Sequence, residues 1–299
     1  MLDLINRDRM ANALTPVELG TNLAAQTHAE EVFRNGFLGH WGLDGLKPYM
    51  RYTLASGTWA EGENVSGPNN PRVPGASHVR TSVRDSLRET QQGLMASPGH
   101  RRNIFAPSHQ CVNFGIACDQ VDCTVVQQFE SNHVQFERTP SIQDGQVIFS
   151  GRTLGGLVYE SAQVWFDPLP RPLQASQIRA SYCYDSGTPI VFIREPAPPG
   201  SFYTSDISAF SWPNCRDPRD VDPAVPPPKI MTPLPDQTGE VPWEDARGYS
   251  VRGDNFEVVV DVSRYLAQYG DGVYTIVLWG EQDREPVALT NHSVFVQSP

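Results

Sequence analysis

No run of roughly 20 apolar residues occurs in this 299-residue chain, so nothing in it reads as a membrane-spanning helix. Basic charge is scarce: 23 Lys and Arg face 34 Asp and Glu, a net charge of −11. That balance argues against a nucleic-acid or anionic-membrane partner, because the long-range field repels both. There is no HExxH and no internal repeat, and no apolar leader core follows Met1, which runs straight into "LDLINRDR" as a processed mature form would. What is present points to a globular protein with many turns. Hydrophobic residues make up 39% of the chain, enough to fill a core, and 26 prolines and 24 glycines exclude an all-helical protein.

The five cysteines bear on compartment. Cys118 and Cys123 flank "DQVD" between two strand-like runs, so a hairpin would set their sulfurs across a strand pair. Cys183 and Cys215 are candidates for a second bridge, which leaves Cys111 over. Disulfides imply an oxidising, extracellular setting, whereas five reduced, buried cysteines would not.

The chain divides by pattern. "TPVE" at 15–18 carries a capping box of Thr15, Pro16 and Glu18, predicting a helix through Leu19, Leu23, Ala25, Ala29, Val32 and Phe33 to Gly36. A second helix is expected after "RVPGAS", with Val79, Val83, Leu87 and Leu94 as its apolar stripe and Arg80 and Glu89 off it. Ser97 and Pro98 start a short third helix, and strands follow at about 111–118 and 123–130. Residues 135–145 are expected to link this unit, 1–134, to a second, 146–299. There "QVIFSG", "GLVYESAQVWF", "QIRASYCY", "PIVFIRE", "NFEVVVDV", "GVYTIVLWG" and "NHSVFVQ" read as strands of a β-sandwich. A proline-dense loop or connector spans about 212–242, with "VPPPK" at its centre. The expected class is α+β.

Three stretches carry candidate chemistry: "GFLGHWGLDG", "AEGENVSG" and "SPGHRRNI". His40 lies among glycines after a helix, and Glu63 sits in "GEN". His100 sits near a helix N-terminus, whose partial positive charge disfavours imidazolium. Two neutral imidazoles and a carboxylate suit a divalent metal such as Zn²⁺. Spacing alone favours a hydrogen-bonded loop histidine, a turn carboxylate and a helix-terminus residue over a shared metal site. Trp41, Asn64 and Ser97 are further candidates to line a cleft.

The ordered blocks "LINRDR", "LTPVELGTNLAAQTHAEE", "NGFLGHWGLDGLKPYMRY", "WAEGENVSG", "SPGHRRNI" and "FGIACDQVDCTVVQQF" resemble the CAP superfamily of cysteine-rich secretory, antigen 5 and pathogenesis-related 1 proteins. Within it they resemble the bacterial SCP-like branch, over residues 2–131. The resemblance implies an N-terminal three-layer α-β-α sandwich with a cleft lined by a His-Glu-Glu-His tetrad. His40, Glu63 and His100 match three of the four positions; Ser97 stands at the second glutamate, and Glu89 lies two turns earlier. It further implies a secreted or cell-surface module that binds a metal, with a protein, lipid or glycan partner and the β-rich unit mediating interaction.

Two alternatives use the same residues differently. A metal-dependent hydrolase would take Glu63 as base, or Ser97 or Ser66 as nucleophile, although Ser97 reads as a helix cap with its hydroxyl turned to backbone N–H groups. An adhesion or carbohydrate-binding protein would stack sugars on Tyr182, Tyr184, Trp212, Trp243 or Trp279, unless these rings are core.

Overall fold

The computed structural model describes residues 1–67, 82–119, 122–181, 183–225, 233–282 and 284–298. Val79, Arg80, Tyr182 and most of "VPPPK" lie outside them. The fold is α+β, as expected.

The N-terminal unit contains helices α1 (Leu2–Met10), α2 (Ala24–Asn35), α3 (Pro48–Leu54), α4 (Val83–Ala96) and α5 (Pro98–Ile104). Its strands are β1 (Glu18–Leu19), β2 (Ala60–Ser66), β3 (Cys111–Cys118) and β4 (Cys123–Ser131), in spatial order β1-β3-β4-β2. Strand alternation sends side chains to two faces. On one face Val65 and Val126 pack with Ala25, Ala29 and Val32 of α2. On the other, Val112 and Phe129 pack with Ile5 of α1, Leu94 of α4 and Ile104 of α5. The result is a three-layer α-β-α unit.

Two local expectations fail here. "TPVE" does not start a helix: Glu18 and Leu19 pair with Cys111 and Val112 as a parallel edge strand. Helix α2 begins only at Ala24, whose N–H donates to Asn22 Oδ1. Helix α4 also turns a different face inward. Its buried residues are Ser86, Thr90, Gln91 and Leu94, while Val83 is exposed, because the sheet surface opposite carries the amide of Gln127.

The C-terminal unit adds β5 (Val134–Gln143), β6 (Gln146–Thr153), β7 (Val158–Pro168), α6 (Ala175–Ile178), β8 (Thr188–Arg194), β9 (Ile207–Trp212), β10 (Gln237–Asp245), β11 (Gly248–Arg252), β12 (Asn255–Asp261), α7 (Ser263–Tyr269), β13 (Gly272–Gln282) and β14 (Glu285–Val296). A six-stranded sheet, β14-β13-β7-β8-β10-β9, faces a four-stranded one, β11-β12-β6-β5. Val147, Phe149, Tyr159, Val164, Ile193, Phe256, Val258, Ile276 and Leu278 fill the space between them.

Residues 135–145 are not a linker. Most of them form β5, which pairs antiparallel with β6, since their β-branched and aromatic side chains find a place in the sandwich. The proline-dense stretch connects β9 to β10, two paired strands of one sheet. In "QIRASYCY" the described residues form no strand: Gln177 and Ile178 end α6, and from Arg179 an irregular strap leads to β8, with Cys183 bridged to Cys215 and the Tyr184 ring beside His40. Both expected disulfides form, Cys118–Cys123 and Cys183–Cys215, and Cys111 is free.

The units are tied closely. Thr290 Oγ1 donates to the Thr58 carbonyl at 2.7 Å, and Ser293 N–H donates to Thr53 Oγ1 at 3.1 Å. Lys47 Nζ reaches Asp167 Oδ1 and Asp185 Oδ1, each at 2.7 Å.

Candidate functional site

Four segments build the site: the loop after α2, helix α3, strand β2 and the strap between α6 and β8. Buried His28 on α2 fixes the loop, with Nε2 2.9 Å from the Gly39 carbonyl, and His40 follows at once. His40 Nδ1 lies 3.0 Å from Glu63 Oε1. The other carboxylate oxygen, Oε2, accepts from Arg51 Nη2 of α3 at 3.0 Å. Glu63 is almost sealed, its side chain 1% exposed against 13% for His40. Burial alone raises the Glu63 carboxyl, but Arg51, with His28 and His40, more than reverses this and holds it at about 2.

Strand periodicity places Glu61 on the same face as Glu63. Its environment is the opposite. Burial, and then the Glu63 charge, push Glu61 up to about 8, so it is largely protonated at neutral pH. Glu61 Oε2 accepts from Gln128 Nε2 at 3.3 Å, which with Arg51 and Asn291 offsets only part of that rise.

His100 lies on α5. Burial, then the charge of His40, lowers the pKa of His100. Helix α5 can approach β2 because residue 62 is glycine: a Cβ there would meet Asn103 Oδ1 at 2.7 Å. Asn64 holds this helix. Its Nδ2 donates to the His100 carbonyl at 3.2 Å, and its Oδ1 accepts from Asn103 Nδ2 at 3.1 Å. Asn64 therefore points to the face opposite Glu63 and positions α5.

The remaining candidates divide by location. Trp41 is core, 2% exposed, packed with Val32, Phe37 and Ile178, with the cations of Lys47 and Arg219 5.1 and 5.3 Å from its ring centroid. Ser97 occupies the N-cap position of α5, but its side chain makes no capping hydrogen bond, contrary to expectation. Ser66 Oγ contacts only the neighbouring Gly67 carbonyl, at 3.5 Å. Glu89 is exposed on α4. Of the proposed stacking aromatics, Trp212 is buried with Trp165 and Val277, and Phe210 and Trp279 pack against them. Trp243 stacks edge-on against Phe192.

The strap supplies a residue to which sequence reasoning gives another role. Tyr184, a candidate sugar-stacking ring, lies with its ring 5.0 Å from that of His40, and its hydroxyl accepts from the Glu63 N–H at 3.4 Å. Arg51 and Glu61 escape sequence reasoning altogether. The strand period of "AEGEN" is a usable signal for Glu61, whereas nothing local marks Arg51.

These contacts decide what the cleft can hold. Among the described residues, no three His, Cys, Asp or Glu side chains form a metal-holding group. Glu63 has given one oxygen to an imidazole and the other to a guanidinium, whose charge would repel a cation at the same carboxylate. As arranged, His40, Glu63 and His100 do not fit a three-ligand divalent centre of the Zn²⁺ kind. His40 and Glu63 form a carboxylate-oriented imidazole.

No family model matches the chain, and no curated protein matches it. Among solved structures, an extracellular protein containing an SCP domain from Bacillus anthracis str. Ames is similar at 19% sequence identity, with a TM-score of 0.34. The similarity covers 43% of this chain and 38% of that one.

Proposed function

We propose that this chain is an extracellular CAP-like module that works by binding at a cell surface, its β-sandwich fixed beside a polar cleft. One observation carries this reading: both oxygens of Glu63 are engaged, by His40 and by Arg51, which leaves no free carboxylate base at the centre. The two disulfides support an oxidising environment. Among the described residues no helix is long and apolar enough to cross a membrane. The partner class is a surface protein, lipid or glycan.

The test is saturable binding of the full chain to cell-envelope preparations, run alongside turnover of peptide and ester libraries. Binding that survives EDTA, with turnover at background, is the expected result.

A second reading, hydrolysis, has one observation in its favour. A buried carboxylate holding an imidazole by Nδ1 is the arrangement that orients a general base. Library turnover that His40→Ala reduces to background would establish it in place of the binding reading.

A further inference from the structure

The strap does more than cover the cleft; it fills it with two consecutive side chains, each met by its own partner. Tyr184 lays its ring against His40 at 5.0 Å and near Tyr49 at 6.3 Å, with its hydroxyl at the Glu63 N–H. Asp185 puts its carboxylate on Lys47 Nζ at 2.7 Å. The Asp185 carbonyl accepts from Lys47 Nζ and from the Tyr49 hydroxyl, both at 3.2 Å. His40, Lys47, Tyr49 and Glu63 all belong to the N-terminal unit. Together they offer a ring slot and a cation that meets both a carboxylate and the backbone carbonyl beside it.

From this geometry we infer that the N-terminal unit carries a recognition site for an extended peptide bearing adjacent tyrosine and aspartate, and that this chain occupies it in cis with Tyr184–Asp185. The surroundings agree. Residue 39 is glycine where a Cβ would meet Ile178 Cγ2 at 2.4 Å, so the loop bearing His40 lies flush against the end of α6, where the strap begins. Leu173 and Ile178 complete the apolar cluster of α2, and Leu173 N–H donates to the Leu43 carbonyl at 2.8 Å. Immediately before Tyr184, Cys183 is bonded to Cys215, which anchors the dipeptide where it is needed.

An in-cis occupant has an effective concentration in the millimolar range, so a peptide in solution competes poorly until the occupant is removed. Asp167 also grips Lys47, at 2.7 Å, and accepts from the Tyr49 hydroxyl at 2.8 Å, so the Lys47 and Tyr49 side chains stay in place when the strap side chains are trimmed.

The inference shares its cleft with the binding-module reading but is tested separately from it. A fluorescently labelled peptide of sequence Tyr-Asp-Ser-Gly, blocked at both ends, is titrated into the full chain and followed by anisotropy. The double variant Tyr184→Ala, Asp185→Ala is expected to bind it at least 10-fold more tightly than the wild-type protein. The same variant should discriminate against Phe-Asn-Ser-Gly, which lacks the phenol and the charge. Should the double variant fold poorly, Tyr184→Ala alone retains the Asp185–Lys47 pair and should show the same gain at smaller size. A folded variant that binds the two peptides alike, or neither at millimolar concentration, overturns the inference. Envelope binding unchanged in that variant would leave the broader reading standing.

Discussion

The two sheets at the heart of this molecule are buried in opposite ways. Strand β4 of the N-terminal unit is buried along all nine residues, yet it carries Thr124, Gln127, Gln128, Glu130 and Ser131. The sandwich interior is Val, Ile, Leu, Phe and Tyr with two alanines, Ala162 and Ala246. A buried amide or carboxylate is costly unless bonded, and the amide nitrogens of Gln127 and Gln128 are paired. Gln127 donates to Gln91 Oε1 at 2.9 Å and accepts from Asn64, and Gln128 donates to Glu61. The sandwich needs shape alone. One sheet therefore holds chemistry in place, and the other holds the chain together.

Substitutions can sharpen that contrast. The largest effect belongs to the sandwich: Phe149→Ala, at a fully buried ring against Tyr159 and Phe256, should cost about 3–5 kcal/mol in urea unfolding. A loss below about 1 kcal/mol would mean the apolar core is not what supports the fold.

In the polar unit the corresponding damage is electrostatic. Arg51→Ala strands the Glu63 carboxylate and should cost about 3 kcal/mol, with partial recovery on adding Glu63→Gln. Additive losses in the double variant would show that the pair does not act as a unit.

Next in size is a pH effect. The raised pKa of Glu61 contributes stability that is complete below about pH 4.5 and is lost as pH climbs through about 8. Glu61→Gln cannot ionise, so its melting temperature should gain on wild type steadily across that window. Glu63 has the opposite sign: its contribution is present above about pH 4.5 and is lost as pH falls toward about 2. Parallel melting curves for Glu61→Gln and wild type from pH 4.5 to 8 would contradict the assignment.

The smallest contrast compares two serines at helix starts. Ser82 accepts from Asp85 N–H, so Ser82→Ala should cost about 1 kcal/mol, while Ser97→Ala should fall within about 0.5 kcal/mol of zero.

Much of the scaffold was legible because its signals are local. The alternation of β3 and β4, the four-residue hairpin between Cys118 and Cys123 and the strand runs of the sandwich each depend on neighbours in sequence. Local signals failed where a distant surface offered more. The capping box at Thr15 lost to pairing of Glu18 and Leu19 with β3, a match with residues more than 90 positions away. The site shows the same division. His40, Glu63 and His100 could be nominated from short motifs, and the structure sets His40 Nδ1 3.0 Å from Glu63 Oε1. What occupies Glu63 could not be read, because Arg51 identifies itself only by pointing inward from α3. Tyr184 arrives from 121 positions away.

The join between the units has a further consequence. Strand β4 ends at Ser131 and β5 begins at Val134, and His133 between them is pinned. Its carbonyl accepts from Leu154 N–H, and its Nε2 lies 3.0 Å from the Ser108 carbonyl. Such a junction leaves no swivel. Whatever one half grips is presented to the other at a preset angle, so two objects held at once would be oriented as well as brought close, as by a bracket rather than a cord.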